Sequence, residues 1–259
     1  MSKTSSMPDP DTKADSMLEG LGRIKVPKSS DVLAERLKQE ILSDMYPPGS
    51  MLPTERELVS ATGLSRGSVR EALRILEAQG LVATRAGRYG GTSVAMPTDH
   101  HLADHIEIFA RGRSIPLNAL AEVRLALEPM VASLAAQRRT AQDLEALHAV
   151  SNRIEQTAEN VDDLDAFLLE NVNWHDALAA ASHNDLLCAL ATSISGIMFE
   201  ASKLREFASI ELRKRVCVAH RKILEAIEAG DSERARRRAE IDIEAYARIL
   251  DAAAAQRVV

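Results

Sequence analysis

The sequence predicts a mainly α-helical protein with two domains: a small N-terminal domain that ends in a β-hairpin, and a C-terminal antiparallel all-α bundle of six to seven helices. Three observations support this fold class. Apolar residues recur at helical spacing along most of the chain, alanine and leucine are abundant, and aromatic residues are only 3% of the composition. A chain of 259 residues is also long enough to bury two cores.

Changes in composition divide the chain into three parts. Residues 1–25 are rich in Ser, Asp, Lys and Pro without a sustained period, and we expect a disordered arm. Residues 26–97 make up the small domain, which ends at Pro97. Residues 98–259 make up the helical bundle.

The small domain is predicted to contain three helices. The first is amphipathic and runs from Ser30 to near Tyr46. Thr54 and Glu57 have the spacing of a capping box, so the second helix begins there. Gly63 ends that helix at a tight turn.

The third helix has the features of a DNA-reading helix. Ser65 caps it, and its first two turns carry Arg66, Ser68 and Arg70 on the face opposite the apolar one. The apolar face consists of Val69, Leu73 and Leu76. Two short helices joined at a glycine turn, with arginines near the start of the second, fit the major groove of DNA. The alternative is an ordinary helical hairpin with solvated charges.

Two β-prone runs, residues 81–84 and 92–95, predict a hairpin after the third helix. The turn between them is basic and rich in glycine. In a winged helix-turn-helix such a hairpin lies along the DNA backbone or in the minor groove, where Arg85 and Gly87 would approach phosphates or base edges. A hairpin that only covers the core is the alternative, but a wing explains the positive charge better.

The distribution of charge supports a local rather than a general affinity for nucleic acid. The net charge of −6 argues against a generally basic, non-specific DNA binder. The stretch from Arg66 to Arg88, however, contains five arginines and two glutamates. The positive charge is therefore concentrated at the predicted reading helix and wing.

The sequence also predicts the compartment. It contains no apolar stretch of about 18 residues and no hydrophobic signal core, so we expect a soluble, cytoplasmic protein. Cys188 and Cys217 lie far apart in helical patterns. They are expected to be buried thiols in a reducing compartment rather than a zinc pair or a disulfide.

The bundle is predicted from seven helical segments with short separators. Thr98 or Asp99 is expected to cap the first segment, and Thr140 with Asp143 the third. Asp231 is expected to cap the last. The segments are residues 99–111, 116–138, 141–159, 161–181, 184–200, 203–229 and 231–254. The interior of such a bundle can bind a ligand between facing helices.

From Val26 to Ala254 the chain resembles the GntR-type transcription regulators, specifically the FadR group with its all-helical, FCD-type ligand-sensing domain. The N-terminal motifs that carry the resemblance are Pro48-Gly49, LPTEREL at residues 52–58, GLSRGSVREAL at residues 63–73, and residues 76–81. The C-terminal motifs are Glu122-Val123-Arg124 with Leu127-Glu128, residues 171–175, residues 220–223, Ala226-Ile227 and Gly230-Asp231.

This resemblance implies a set of DNA contacts. The matching positions are Arg56, Ser65, Arg66, Gly67, Ser68, Arg70, Arg85 and Gly87. The chemistry of these residues agrees, because an arginine fork can bind guanine O6 and N7 together, and serine hydroxyls at a helix N-terminus suit phosphate. We assign Arg66 and Arg70 to base edges or neighbouring phosphates, and Arg56 to a phosphate or a base.

The resemblance further implies a divalent metal, zinc or similar, held by an acidic residue and three histidines. Asn171 and His175 lie one helical turn apart and match the first pair, with Asn in place of Asp, and His220 matches the last histidine. The intermediate histidine, expected in the helix that ends near Glu200, is absent; Met198 and Glu200 stand there instead. A metal site and a metal-free effector pocket lined by the same residues both remain open.

Arg124 is the fourth residue expected to bind the effector, with Asn171, His175 and His220, because the family pattern places an arginine near the cavity. A guanidinium in an apolar bundle needs a carboxylate partner, either Glu128 one turn on or an anionic ligand.

The sequence therefore predicts a ligand-responsive transcriptional regulator, a repressor of a catabolic operon. The expected partners are a palindromic double-stranded DNA operator, a second copy of the chain in a homodimer, and a carboxylate effector such as an organic or sugar acid, with an acyl thioester as the second choice. The alternative is a metal-dependent hydrolase or lyase that uses His175 and His220 and carries an accessory DNA-binding module. Against an enzyme, the sequence has no recognisable activated nucleophile and no glycine-rich phosphate loop.

Overall fold

The computed structural model describes residues 26–87, 90–160, 163–201 and 209–256. The chain separates between Met96 and Pro97 into two compact units. In the part that the structure describes, the small unit contains three helices and a two-stranded sheet, and the large unit contains helices joined by turns. The predicted mainly α fold class is confirmed.

The small unit contains α1 (Ser29–Leu42), α2 (Glu55–Thr62), α3 (Arg66–Ala78), β1 (Val82–Arg85) and β2 (Gly91–Val94). The first helix ends at Leu42, so the predicted end near Tyr46 is wrong. Asp44 has φ 59°, a left-handed backbone conformation that an α-helix cannot include.

The two predicted caps of the helix-turn-helix are confirmed. The backbone N–H of Glu57 donates to Thr54 Oγ1 at 3.3 Å, and the backbone N–H of Thr54 donates to Glu57 Oε2 at 2.8 Å. Gly63 ends α2 with φ 69°, and Ser65 Oγ accepts from the backbone N–H of Ser68 at 3.1 Å. These local bonds fix where α3 begins.

The hairpin pairs β1 and β2 in antiparallel register, with Val82 opposite Val94 and Arg85 opposite Gly91. Val82 and Val94 are buried in the core of the small unit. The hairpin thus helps to close this core, while Arg85 at the end of β1 is exposed. Residues 88 and 89 of the predicted wing tip lie outside the described residues.

The large unit contains α4 (Asp99–Gly112), α5 (Leu117–Arg138), α6 (Ala141–Ala158), α7 (Leu164–Ala180), α8 (Asp185–Ala201), α9 (Ile210–Glu228) and α10 (Ser232–Gln256). Each corresponds to one predicted segment. The predicted starts at residues 161 and 203 lie outside the described residues. The predicted caps at Thr140 and Asp231 form, with the backbone N–H groups of Asp143 and Arg234 as donors.

Helix α5 has a central place in the bundle because it packs against α7, α8, α9 and α10. It contains Pro129, which is buried next to the buried Glu128. Trp174 of α7, the only tryptophan in the sequence, is 0% exposed and donates from Nε1 to Ser151 Oγ at 3.0 Å. Cys188 and Cys217 are free thiols, Cys188 half-buried and Cys217 buried.

Among the described helices, none combines the length and the apolar composition needed to cross a membrane.

The single tryptophan offers a test of the bundle core. Leu147 is 0% exposed and belongs to the same apolar cluster as Trp174 and Leu178. We expect Leu147→Ala to lower the free energy of unfolding of the bundle by about 2–5 kcal/mol, because it removes buried methyl groups and leaves a cavity. Denaturant titration followed by Trp174 fluorescence measures this change.

Leu186→Ala is the matched control, because this leucine is 68% exposed and its truncation leaves no cavity. The control should change the free energy of unfolding by less than about 0.5 kcal/mol. Equal effects of the two substitutions would contradict the packing described above.

Candidate functional site

The first candidate site is the exposed face of the helix-turn-helix. Arg66 and Arg70 are both exposed at the start of α3. Arg70 Nε donates to Glu55 Oε2 of α2 at 2.8 Å. This bond uses one donor of the guanidinium and leaves the two terminal nitrogens available for another partner. Sequence reasoning missed Glu55, because no helical spacing relates residues on two different helices.

The side chains of Ser65 and Ser68 lie at the exposed N-terminal end of α3, and they also form hydrogen bonds within the protein. Their hydroxyls are 3.0 Å apart, and Ser29 Oγ of α1 donates to Ser68 Oγ at 3.2 Å. Both hydroxyls therefore help to hold the N-terminus of α3 in position.

Gly67 keeps that helix end open. A Cβ built there would meet Ser65 Oγ at 3.7 Å, an ordinary contact, so the packing of the protein does not require glycine. The absence of a side chain exposes the first-turn backbone, which suits the close approach of a phosphate or a base.

The remaining predicted DNA contacts lie on exposed parts of α2 and the hairpin. Arg56 and Arg85 are exposed, and Gly87 has φ 118°, a conformation that L-residues rarely adopt. Within the described part of the chain, no carboxylate lies within salt-bridge distance of Arg56, Arg66 or Arg85. These three guanidinium groups are therefore free to bind an anionic partner.

The second candidate site is a cavity of about 680 Å³ inside the large unit. Its walls come from α7, α9 and α10, with one side chain from α5. All four residues predicted to bind the effector line it: Arg124, Asn171, His175 and His220. Most of the other residues that line the cavity are apolar.

Asp242 of α10 joins two of these residues in a compact cluster. One ligand atom from each of His175, His220 and Asp242 lies within 4.8 Å of the others. His220 Nε2 is 3.7 Å from Asp242 Oδ2. No sequence pattern identifies this residue, because 22 positions separate it from His220 and it lies on a different helix.

Of the two residues that stand in place of the missing histidine in the helix ending near Glu200, only Met198 has a described side chain. Met198 of that helix is 3% exposed and packs in an apolar cluster with Ile194. The side chain of Glu200 lies outside the described part of the structure. The third titratable side chain of the cluster comes from α10 instead, the helix that packs most extensively on α5.

Burial sets the protonation of this cluster. His220 is 1% exposed, and within the described part of the chain both of its ring nitrogens are buried without a hydrogen-bond partner. Its desolvation lowers the pKa of His220 well below the usual value, so the ring is neutral. Burial raises the pKa of Asp242 to about 6, against the opposing effect of His175 and Arg124. The Trp174 ring stacks on His220 with centroids 3.8 Å apart.

A buried ionic network lies beside the cluster. The Arg124 guanidinium donates from Nε to Glu128 Oε1, and both side chains are less than a tenth exposed. Glu128 Oε2 lies 3.0 Å from His175 Nδ1, and Arg124 Nη2 lies 3.1 Å from His175 Nε2. Burial alone would raise the pKa of Glu128, but Arg124 and His175 outweigh it and hold that pKa well below its usual range.

Two family profiles match the chain. The profile of the bacterial regulatory proteins of the gntR family matches residues 29–94, and the FCD domain profile matches residues 119–245. The galactonate operon transcriptional repressor of Escherichia coli K12 is 30% identical over 213 residues, which span 80% of this chain and 90% of that protein. The chain belongs to the GntR family of bacterial regulatory proteins.

Other GntR-family proteins support the same conclusion. The Uxu operon regulator of Haemophilus influenzae is 31% identical, over 79% of this chain and 75% of its own length. The solved structure of a GntR protein from Streptococcus agalactiae has a TM-score of 0.62 and 29% identity, and covers 85% of this chain and 99% of its own.

The two matched regions correspond to the two structural units, with the GntR region in the small unit and the FCD region in the large one. The protein is therefore a DNA-binding transcriptional regulator with an FCD domain. The FadR-group resemblance drawn from the sequence motifs is confirmed.

The ionic network provides a test of the site. Glu128→Gln would leave the buried Arg124 without its carboxylate, and removing one partner of a buried ion pair typically costs about 3–5 kcal/mol. We expect the free energy of unfolding of the FCD domain to fall by this amount, as measured by denaturant titration with Trp174 fluorescence.

Glu122→Gln serves as the control, because Glu122 is exposed on the same helix. It should leave the unfolding curve almost unchanged. A Glu128→Gln protein as stable as the control would show that Arg124 does not depend on this carboxylate.

Proposed function

We propose that this protein is a metabolite-responsive repressor of a catabolic operon, with operator DNA bound by the small unit and a small carboxylate effector bound in the FCD cavity. The observation that carries the proposal is the cavity itself. It brings four polar side chains predicted to bind an effector into one largely apolar chamber of about 680 Å³. A chamber of this size and chemistry suits a small organic anion.

The relatives favour a sugar acid or a similar organic acid as the effector. One relative is named for the galactonate operon, and galactonate is a six-carbon sugar acid. The cavity offers the arginine and imidazole groups that a carboxylate and neighbouring hydroxyls need.

On the DNA side, we propose that the exposed N-terminus of α3 enters the major groove and that the hairpin follows the backbone or the minor groove. Arg66 and Arg70 would contact base edges or neighbouring phosphates. The full set of proposed contacts is Arg56, Ser65, Arg66, Gly67, Ser68, Arg70, Arg85 and Gly87.

We further propose that the protein acts in the cytoplasm as a homodimer on a palindromic operator. Two copies related by a two-fold axis would place their α3 helices about one DNA turn apart. Effector binding would favour an arrangement of the dimer with the wrong spacing. A coupling free energy of about 1–3 kcal/mol would be enough to release the operator at effector saturation.

The residues at the floor of the cavity fit a divalent metal. His175, His220 and Asp242 offer two imidazoles and one carboxylate within 4.8 Å of one another, and Asn171 lines the same cavity. The buried His220 nitrogens have no hydrogen-bond partner among the described residues, which leaves one of them available as a ligand. When bound, a divalent cation supplies a positive charge and open coordination positions for an effector carboxylate.

Glu128 and Arg124 would affect such a metal in opposite ways. Glu128 Oε2 lies 3.0 Å from His175 Nδ1, which leaves Nε2 as the nitrogen for a metal, an arrangement typical of metal-binding histidines. Arg124 Nη2 lies 3.1 Å from that Nε2, and metal binding there would displace this contact.

The hydrolase or lyase alternative is not supported by a specific observation. The family and the relatives named above are regulators, and the His175 and His220 pair serves equally well to bind an effector or a metal.

The Arg66→Ala variant tests the DNA-binding proposal. We expect operator affinity to fall by about 1–3 kcal/mol, because a side chain that reads a base edge is lost. The operator is first located by footprinting the promoter region of the protein's own gene, and affinities are then measured by fluorescence anisotropy at fixed salt.

Arg111→Ala is the control, because Arg111 is an exposed arginine of α4 that pairs with Glu107 at 2.8 Å. The control should bind the operator like the wild type. If Arg66→Ala keeps full affinity, or if the wild type prefers no duplex over random competitor, the proposal is wrong.

Metal binding is tested by adding Zn²⁺ to chelator-treated protein and measuring metal content and thermal stability. We expect the wild type to retain zinc and to melt at a higher temperature with it, because binding to the folded state stabilises that state. Asp242→Asn should weaken zinc binding by at least about 10–100-fold. This is the effect typical of losing a residue that only supports a metal ligand.

His148→Ala is the control, since His148 pairs with Glu228 on the surface. It should retain zinc. If the wild type and Asp242→Asn retain zinc equally well, Asp242 is not a ligand, and if neither retains zinc the cavity is a metal-free effector pocket.

A further inference from the structure

Two arginines of the cavity lie at its exposed rim. Arg215 of α9 and Arg248 of α10 both line the cavity and both are exposed, whereas Arg124 and His220 at the floor are buried. Within the described residues, no carboxylate lies within salt-bridge distance of Arg215. Arg248 has only a loose pair with Glu244, at 3.7 Å and with its side chain 67% exposed.

The rim is separated from the floor along the two helices. Arg215 precedes His220 by five residues, which is about 7.5 Å along a helix axis. Arg248 follows Asp242 by six residues, which is about 9 Å. Helices α9 and α10 are neighbours joined by a short turn, so both arginines lie on the same side of the floor.

The wall between the floor and the rim is apolar. Val216 and Ala219 of α9 and Ala245 of α10 line this part of the cavity. The cavity therefore has two polar ends with an apolar middle, and both ends carry guanidinium groups.

Positive charge continues outside the rim. Arg215 also lines a neighbouring surface groove of about 430 Å³, together with Lys214, Lys222 and Arg238. Glu211 is the single acidic residue among those that line this groove in the described part of the chain. The potential at the mouth of the cavity therefore favours an anionic group.

We propose that the effector carries a second anionic group, a carboxylate or a phosphate at the end remote from its first carboxylate, and that Arg215 and Arg248 bind it at the rim. The first carboxylate lies at the floor near Arg124 and the histidines. This inference rests on the proposed function, because it extends the same effector site. It identifies the effector class as an acid with an anionic group at each end and a chain about as long as the distance from floor to rim.

A matched set of three acids tests this proposal. D-gluconate, D-glucarate and 6-phospho-D-gluconate share a six-carbon acid chain and differ at the far end, which is a hydroxyl, a carboxylate or a phosphate. We expect D-glucarate or 6-phospho-D-gluconate, or both, to bind the full-length protein roughly tenfold or more tightly than D-gluconate, because the second anionic group gains a charge-assisted hydrogen bond at the rim. Isothermal titration calorimetry measures the affinities, and quenching of Trp174 next to the cavity gives a second readout.

The Arg215→Gln variant should remove this advantage and leave D-gluconate binding unchanged. Lys222→Gln is the control, because Lys222 is exposed on the same helix and lines the neighbouring groove but not the cavity. If Lys222→Gln loses as much affinity for D-glucarate and 6-phospho-D-gluconate as Arg215→Gln does, general positive charge and not a contact from Arg215 attracts these acids. That result would overturn the proposal.

The remaining outcomes separate this inference from the proposed function. If D-gluconate binds and neither D-glucarate nor 6-phospho-D-gluconate binds more tightly, the proposed rim site is wrong and a monocarboxylate effector remains the proposal. If none of the three acids binds, this inference and a sugar-acid effector both fail, while operator binding by the small unit is unaffected.

Discussion

The polar floor of the cavity in the large unit depends on one buried ion pair. Arg124 and Glu128 lie one turn apart on α5, the helix that packs against four others, and both side chains are less than a tenth exposed. The desolvation of a guanidinium in this place is tolerable only because a carboxylate lies beside it. Since the same carboxylate also accepts from His175, the pair fixes the orientation of the imidazole at the cavity floor. One interaction therefore both compensates the buried charge of Arg124 and sets the orientation of His175 in the cavity.

The features that the sequence predicts well are local ones. The capping boxes at Thr54 and Thr140 each join residues three positions apart, and the Arg124–Glu128 pair joins residues four apart, so their partners can be identified from spacing alone. The end of α1 was misjudged because the apolar pattern continues beyond it, while the backbone at Asp44 has already left the helical region.

The features that the sequence does not predict join distant helices. Asp242 meets His220 only because α9 and α10 pack in antiparallel directions, and Glu55 meets Arg70 only because α2 and α3 cross. No periodicity in either segment identifies these partners, because helix packing decides them. The resemblance to a family pointed to His175 and His220 but did not identify Asp242, which lies beside them.

Pro129 gives α5 a mechanical property that its neighbours in the bundle do not share. Proline has no backbone N–H, so the carbonyl of Leu125 lacks the helical partner that other positions provide. The helix is therefore most easily bent between Leu125 and Pro129, the turn that also contains Glu128. A ligand that pulls on Arg124 would act directly on this compliant turn. Small displacements at the cavity floor would then change the direction of the two halves of α5 instead of being spread evenly along its length.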